Sequence, residues 1–544
     1  MEFNVGNAKN AAQEIAAANF PTIRHYHVAY SFSPVPQTTA GSPGGWQECS
    51  PQTVSGFTAV GYFFARHLQQ ALNVPVGLIH TSWGGTPAEA WTSGEALKTM
   101  PDFKPAVEEM EKHLADDPSI EKDYKEKSAE WQKSFDAVLA APLEEWQLSA
   151  FDDAAWKEMK LPTLWENAGL PDVDGIVWFR KTVELPDAWA GKEASLSLGA
   201  IDDNDITWVN GVKVGETAGY NKPRVYKVPA DAVKAGKLNI AVRVVDTGGG
   251  GGLWGKPEEM KLESAGQEPI SLAGNWRYSM NDGTAKLSKR PAPPPGMKNQ
   301  NTPTALVNAM LNPLIPYTMR GAIWYQGESN AWRAYQYRTL FPTMIKDWRS
   351  RWQEGDFPFL FVQLANFMAA PKEPGPSAWA ELREAQNMTL SLPNTGRAVI
   401  IDIGEGADIH PKNKQDVGKR LALSAEATVY GQKIEYDGPR YKSMKVEGAA
   451  IRLNFDHVGA GLVAKGGEPL KQFAIAGADQ KFVWADAKID GETVVVSSDK
   501  VPAPAAVRYA WADNPEGCNL YNKDELPASP FRTDDWPIST GGPK

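Results

Sequence analysis

Residues 402–419, DIGEGADIHPKNKQDVGK, carry the reading of this chain. The run before them, 397–403, is mostly apolar and predicts a buried strand. Past it come two glycines, acidic residues and a single histidine, His410, followed by Pro411. A helix start follows, with Asn413 or Asp416 as its cap. An imidazole on a loop just beyond a strand is where α/β enzymes place a general base. Asp408 stands two residues before His410, and a carboxylate that near can orient the ring and stabilise its imidazolium. The same residues also fit a plain loop histidine with an aspartate capping the next helix. On this stretch alone both readings stay open.

Composition narrows the function classes. A chain of 544 residues predicts roughly three domains. At 42% hydrophobic residues it can bury large cores, and its 20 tryptophans can fill those cores or line a carbohydrate surface. A net charge of −10 argues against nucleic acid, which selects a basic stripe. No apolar run of membrane-spanning length is present. The first residues run straight into polar sequence without a signal-peptide pattern. Cys49 and Cys518 are too far apart to suggest a disulfide framework or a cysteine zinc site. The seven histidines never form HExxH, so neither a metal nor another cofactor is expected.

The texture of the chain alternates. Residues 58–72 predict a helix with an apolar face, and 74–80, VPVGLIH, a short buried strand running into TSWGGT. Helix, strand and Gly-Gly loop are the rhythm of a parallel sheet. The glycines leave backbone N–H groups open, as half of an oxyanion hole would require, although on this stretch alone a tight turn with no ligand is the better reading. Residues 97–138 are charged and helical. From 156 to 280 short alternating runs separated by turns predict a β sandwich, and PAPPP at 291–295 marks its end. The α/β texture then returns with GAIWY, a helix at 335–352, FPFLFVQ and a helix at 378–391. The expected fold class is therefore α/β, with a parallel sheet split by an inserted β domain. Its parts are 1–100 (α/β, first part), 101–145 (helical connector), 146–290 (insert), 296–430 (α/β, second part) and 431–544 (a small C-terminal β domain).

Three motifs in this order, HTSWGGTPAEAWTS, RGAIWYQGESNA and DIHPKNKQDVGKRLA, resemble the sialate O-acetylesterase family, carbohydrate esterases of the SGNH-hydrolase fold. The closing stretch VRYAWADNPEGCNLYNKDELPASPFRTDDW is similar to the same family. Trp178–Arg180 with IDDNDITWVNG resembles the galactose-binding-type jelly roll found inserted in such enzymes. The resemblance implies a three-layer SGNH-like domain and an O-acetylated carbohydrate as substrate: sialic acid or another acetylated glycan. It also implies a periplasmic or secreted location.

The resemblance further assigns roles. A serine attacks the acetyl carbonyl, His410 is its base and Asp408 orients the base. Gly85, beside Gly84, falls on the oxyanion glycine block, and Gln326 on the block where relatives carry an Asn donor. Glu328 and Asn330 match substrate-binding positions. One departure is large. In the family the nucleophile lies in Gly-Gln-Ser-Asn directly followed by Met-Glu-Phe, and this sequence opens on Met1-Glu2-Phe3. The expectation is a form without its nucleophile, inactive and with a gap where the first strand sat. Ser329, in Gly-Glu-Ser-Asn, is the weaker alternative nucleophile. The competing reading from another class is a non-catalytic carbohydrate-binding protein.

Overall fold

The computed structural model describes residues 1–116, 120–140, 145–171, 173–291 and 299–541. The chain forms two compact units, one of 1–116 with 295–544 and one of 117–294. The expected boundary at 291–295 lies, apart from Pro291, outside the described residues. The expected connector is divided: the helix Lys104–Asp116 falls in the first unit and the helix Ile120–Leu139 in the second.

In the first unit, β1 (Phe20–His27) pairs parallel with β3 (Val76–His80) and antiparallel with β2 (Trp46–Cys49). A second sheet holds β4 (Ala322–Trp324), β5 (Phe359–Val362) and β6 (Thr395–Ala398), all parallel. The sequence predicts one parallel sheet; the structure has two, in the orders β2-β1-β3 and β4-β5-β6. Among the described residues the outer edges of β3 and β4 carry no ladder. Val76, Ile79, Ala322 and Ile323, on these edge strands, are half-buried. Ile79, Ala322 and Ile323 pack against one common core, which includes Phe341, Phe359 and Leu421.

Four helices cover these strands: α1 (Ala59–Leu72), α2 (Ala334–Trp352), α3 (Ala378–Met388) and α4 (Lys414–Thr428). α1 packs on α4 and α2 on α3. The α1–α4 approach is close because Gly418 lacks a side chain: a Cβ there would stand 2.5 Å from Cβ of Phe63 and 2.6 Å from the amide of Phe64. Asn413 is the cap of α4, its side chain accepting from the amide of Asp416 at 3.2 Å.

The predicted strand 397–403 pairs only as far as Ala398. Beyond it the side chains keep alternating. Ala398 and Ile400 enter the α/β core, while Val399 and Ile401 enter a second core built from the C-terminal strands. Those strands form two four-stranded sheets, one through Ala450–Asp456 and one through Phe473–Ala476. The region expected as a separate domain at 431–544 thus shares a compact unit, and part of its core, with the α/β layers.

The second unit is antiparallel throughout. A six-stranded sheet centred on Gly175–Leu185 and Gly236–Asp246 and a second sheet built on Ala194–Asp202 share one apolar core. Arg224 and Asp205, both fully buried, pair at 2.9 Å inside it, with the Tyr226 hydroxyl donating to the same carboxylate.

Candidate active site

The three singled-out blocks sit just past the carboxyl ends of β3, β4 and β6. That is where open parallel sheets collect ligands. Contacts join them through the first residues of the chain. The Glu2 carboxylate accepts from the amide of Gly84 at 2.9 Å, and its other oxygen accepts from the Tyr30 hydroxyl. The Met1 amine donates to the carbonyl of Tyr325. The Met1 sulfur lies 3.1 Å from Nζ of Lys414, the first residue of α4.

The Gly84–Gly85 turn and the QGESN block are tied together. The Ser329 hydroxyl donates to the Gly85 carbonyl at 2.8 Å, and Oδ1 of Asn330 accepts from the amide of Ala88 at 2.9 Å. Gln326 donates to Asn330 at 2.6 Å and to the Thr86 carbonyl at 3.2 Å, and accepts from the Tyr337 hydroxyl at 3.0 Å. Nδ2 of Asn330 donates to Glu89 at 2.9 Å, and Arg333 pairs with the same carboxylate. Gln326 has both amide hydrogens engaged within the scaffold, and Asn330 is 1% exposed, with its side-chain groups spent on holding the two blocks together. At the turn, the N–H seen to hold an anion is that of Gly84, while Gly85 takes the left-handed backbone (φ +77°) and engages Ser329 through its carbonyl. Glu328 is half-buried, and its charge acts on Lys414 and on the Met1 amine.

His410 and Asp408 lie together: Nδ1 is 3.4 Å from Oδ1, and the same oxygen accepts from the His410 amide at 2.9 Å. The His410 side chain is 52% exposed, so its proton can exchange with solvent or substrate. The loop that carries the pair is fixed at its root. Asp402 takes two hydrogen bonds from Arg420, at 2.6 and 2.7 Å, and one from the Tyr521 hydroxyl at 2.8 Å. The Gly404 amide donates to Asn366 at 2.8 Å, and Asn514 braces Asn366 at 3.0 Å. A Cβ on Gly404 would meet Oδ1 of Asn366 at 2.2 Å, so only glycine allows this approach. Beneath the loop a cavity of ≈ 480 Å³ is walled by Asn366, Asp402, Gly404, Asn514 and Tyr521, among others.

Lys414 went unnoticed in the sequence. It is fully buried, its ammonium lying 4.7 Å from the Phe3 ring centre and 5.2 Å from that of Tyr325. Burial lowers its pKa to about 8, although the charges of Glu328, Glu405 and Asp408 oppose the shift. One signal was available: a lysine in the first turn of a helix stands against the helix dipole. A serine–histidine pair was also missed. The Ser82 hydroxyl lies 2.7 Å from Nε2 of His80, but burial, reinforced by His25 and His27, lowers that imidazole to about 3. A base held so far down is a weak activator of serine. Among the described residues no cluster of three or more His, Cys, Asp or Glu side chains is placed to hold a metal ion, and no helix is long and apolar enough to cross a membrane.

Residues 298–426 match a family profile described as carbohydrate esterase, sialic acid-specific acetylesterase. These residues are similar to the sialate O-acetylesterase family. Residues 119–255 match the sugar binding domain of glycosyl hydrolases family 2. Sialate O-acetylesterase from Mus musculus is 32% identical over 258 residues, 42% of this chain and 47% of the relative. The Homo sapiens counterpart is 30% identical over 255 residues, 42% of this chain and 48% of the relative. These matches span about half the length of the curated relatives. A solved carbohydrate acetylesterase from Xanthomonas citri superposes with a TM-score of 0.60 at 29% identity, over 98% of this chain and 78% of its own.

Proposed function

We propose that this chain is the body of a carbohydrate O-acetylesterase on an SGNH-like α/β scaffold, acting on sialic acid or another acetylated glycan. In the proposed route a serine oxygen attacks the acetyl carbonyl while His410 takes its proton, and Asp408 stabilises the imidazolium. The ester C–O bond then breaks, and the sugar hydroxyl leaves with that proton. Water attacks the acyl-enzyme, His410 relays its proton back to the serine, and acetate departs. The Gly84 amide is the proposed oxyanion donor. Such a donor is typically worth ~2.7–4 kcal/mol.

The observation that carries this reading is the Glu2 carboxylate on the Gly84 amide. An anionic oxygen is already held there, at the end of β3, in the loop block shared with the family. The nucleophile is proposed to be a serine brought beside β3 and β4, whose outer edges carry no ladder among the described residues and whose ends Met1 and Glu2 bridge. The second reading, a non-catalytic carbohydrate-binding protein, is favoured by the state of the two serines described above: Ser329 is spent on a carbonyl and Ser82 rests on a neutral imidazole.

The test is p-nitrophenyl acetate turnover by residues 1–544 and by a version carrying, ahead of Met1, a relative's strand and Gly-Gln-Ser-Asn block. Turnover should appear only in the longer form, and His410→Ala should remove it by several orders of magnitude. Equal turnover by both lengths, or a His410→Ala variant within tenfold of its parent, rejects the proposal.

A further inference from the structure

Among the described large hydrophobic side chains Trp332 is the most exposed, at 66%. It lies on the 3₁₀ turn Glu328–Arg333, three residues after Ser329. Residues i and i+3 of such a turn eclipse, so Trp332 stands on the side of the turn from which Ser329 reaches the Gly85 carbonyl. A second aromatic group stands at the start of the same Gly84–Gly85 loop. Trp83 stacks on Tyr30 with ring centres 4.6 Å apart and planes at 24°, and Phe32 lies against Trp83 at 6.3 Å. Tyr30 keeps 48% of its surface exposed. The same loop carries a polar point, the Gly84 amide and the Tyr30 hydroxyl, which converge on the one Glu2 carboxylate. Burying aromatic surface is favourable, and aromatic faces left bare beside convergent donors are the mark of a ligand site.

We propose that Trp332 and the Tyr30–Trp83 pair form a shelf for the pyranose ring of the substrate. A pyranose offers apolar C–H faces to aromatic rings and oxygen atoms along its edge. Ring stacking here brings an edge oxygen, such as an ester carbonyl, to the Gly84 amide. The shelf rests on the esterase reading for the identity of its ligand, but its binding is independent of any nucleophile.

The test is a titration of residues 1–544 with N-acetylneuraminic acid and with xylotriose, followed by calorimetry. Saturable binding of at least one is expected, weakened about tenfold or more by Trp332→Ala and by Trp83→Ala. Trp332→Phe should restore it to within threefold. Trp254→Ala, at an exposed tryptophan of the other unit, should leave it within twofold. No saturable binding by the parent, or Trp332→Ala within twofold of the parent, overturns the shelf. Hydrolysis that fails in the extended form while binding persists rejects the esterase reading and leaves the shelf standing.

Discussion

Acid should loosen the first unit through its buried histidines. His25 and His27 on β1 and His80 on β3 form one cluster, with His27 stacked on His80 at 5.0 Å and His25 stacked on Phe57 at 4.5 Å. Burial first, and then the charge of His27, lowers His25 to about 4; burial, then His25 and His27, lowers His80 to about 3. In the unfolded chain both would titrate near ~6.5. A depressed base is neutral in the fold, so below that pH the unfolded chain binds protons that the native state refuses. The stabilisation is complete above 6.5 and is lost as pH falls toward 4 for His25 and 3 for His80. At pH 5 the cost is ~2 kcal/mol per histidine and ~4 kcal/mol for the two, against a typical total of about 5–15 kcal/mol.

The assay is urea unfolding at pH 7, 6.5, 6, 5.5 and 5 for the parent and for the double variant His25→Asn/His80→Asn. Asp202 and Asp246 in the other unit work in the opposite sense. Burial raises both to about 7, so they take up protons in the fold first and gain stability as pH falls. The informative quantity is therefore the difference between parent and variant. The parent should lose ~4 kcal/mol more than the variant between pH 7 and 5. Parallel loss in the two proteins over that range refutes the reasoning.

Three further outcomes are expected. Arg420→Ala strips the partner from buried Asp402 at the root of the His410 loop and should destabilise the first unit by ~3–5 kcal/mol, read from denaturant midpoints. Gly404→Ala drives a methyl group into Asn366 and should cost ~1–3 kcal/mol; a neutral melting curve would show that the loop can move aside. Lys414→Met removes a buried ammonium whose pKa falls to about 8. A depressed base opposes folding wherever the unfolded lysine is charged, so the variant should melt higher at pH 7, by ~1–4 kcal/mol, with the gain fading as pH rises through 8 toward 10.5.

What was legible in the sequence was local. Asp408 and His410 stand two residues apart, so their contact needed no fold, and the helix start was read with two candidate caps, Asn413 and Asp416, of which the structure uses Asn413. The helices at 59–72 and 334–352 follow from periodicity. Long-range partnerships left no such mark. Asp402 opens the very stretch from which the site was read, and Arg420 follows it by one residue, yet nothing in their spacing pairs them. They meet because a loop and the first turns of α4 fold back between them. Asn366 and Asn514, which seat that loop, are 148 residues apart. Gln326 and Asn330 were placed by motif on the substrate side, but a motif does not say which way an amide points. Burial and the surrounding donors and acceptors decide that, and engage both in holding the two blocks together. The core shared across the C-terminal boundary has a readable cause. An apolar run without polar alternation, such as Ala398 to Ile401, signals a segment covered on both faces. Here the second cover is the C-terminal β core, which receives Val399 and Ile401 while Ala398 and Ile400 face the α/β core. The His410 loop therefore springs from a segment clamped between two cores, and that clamp gives a half-exposed histidine a fixed position.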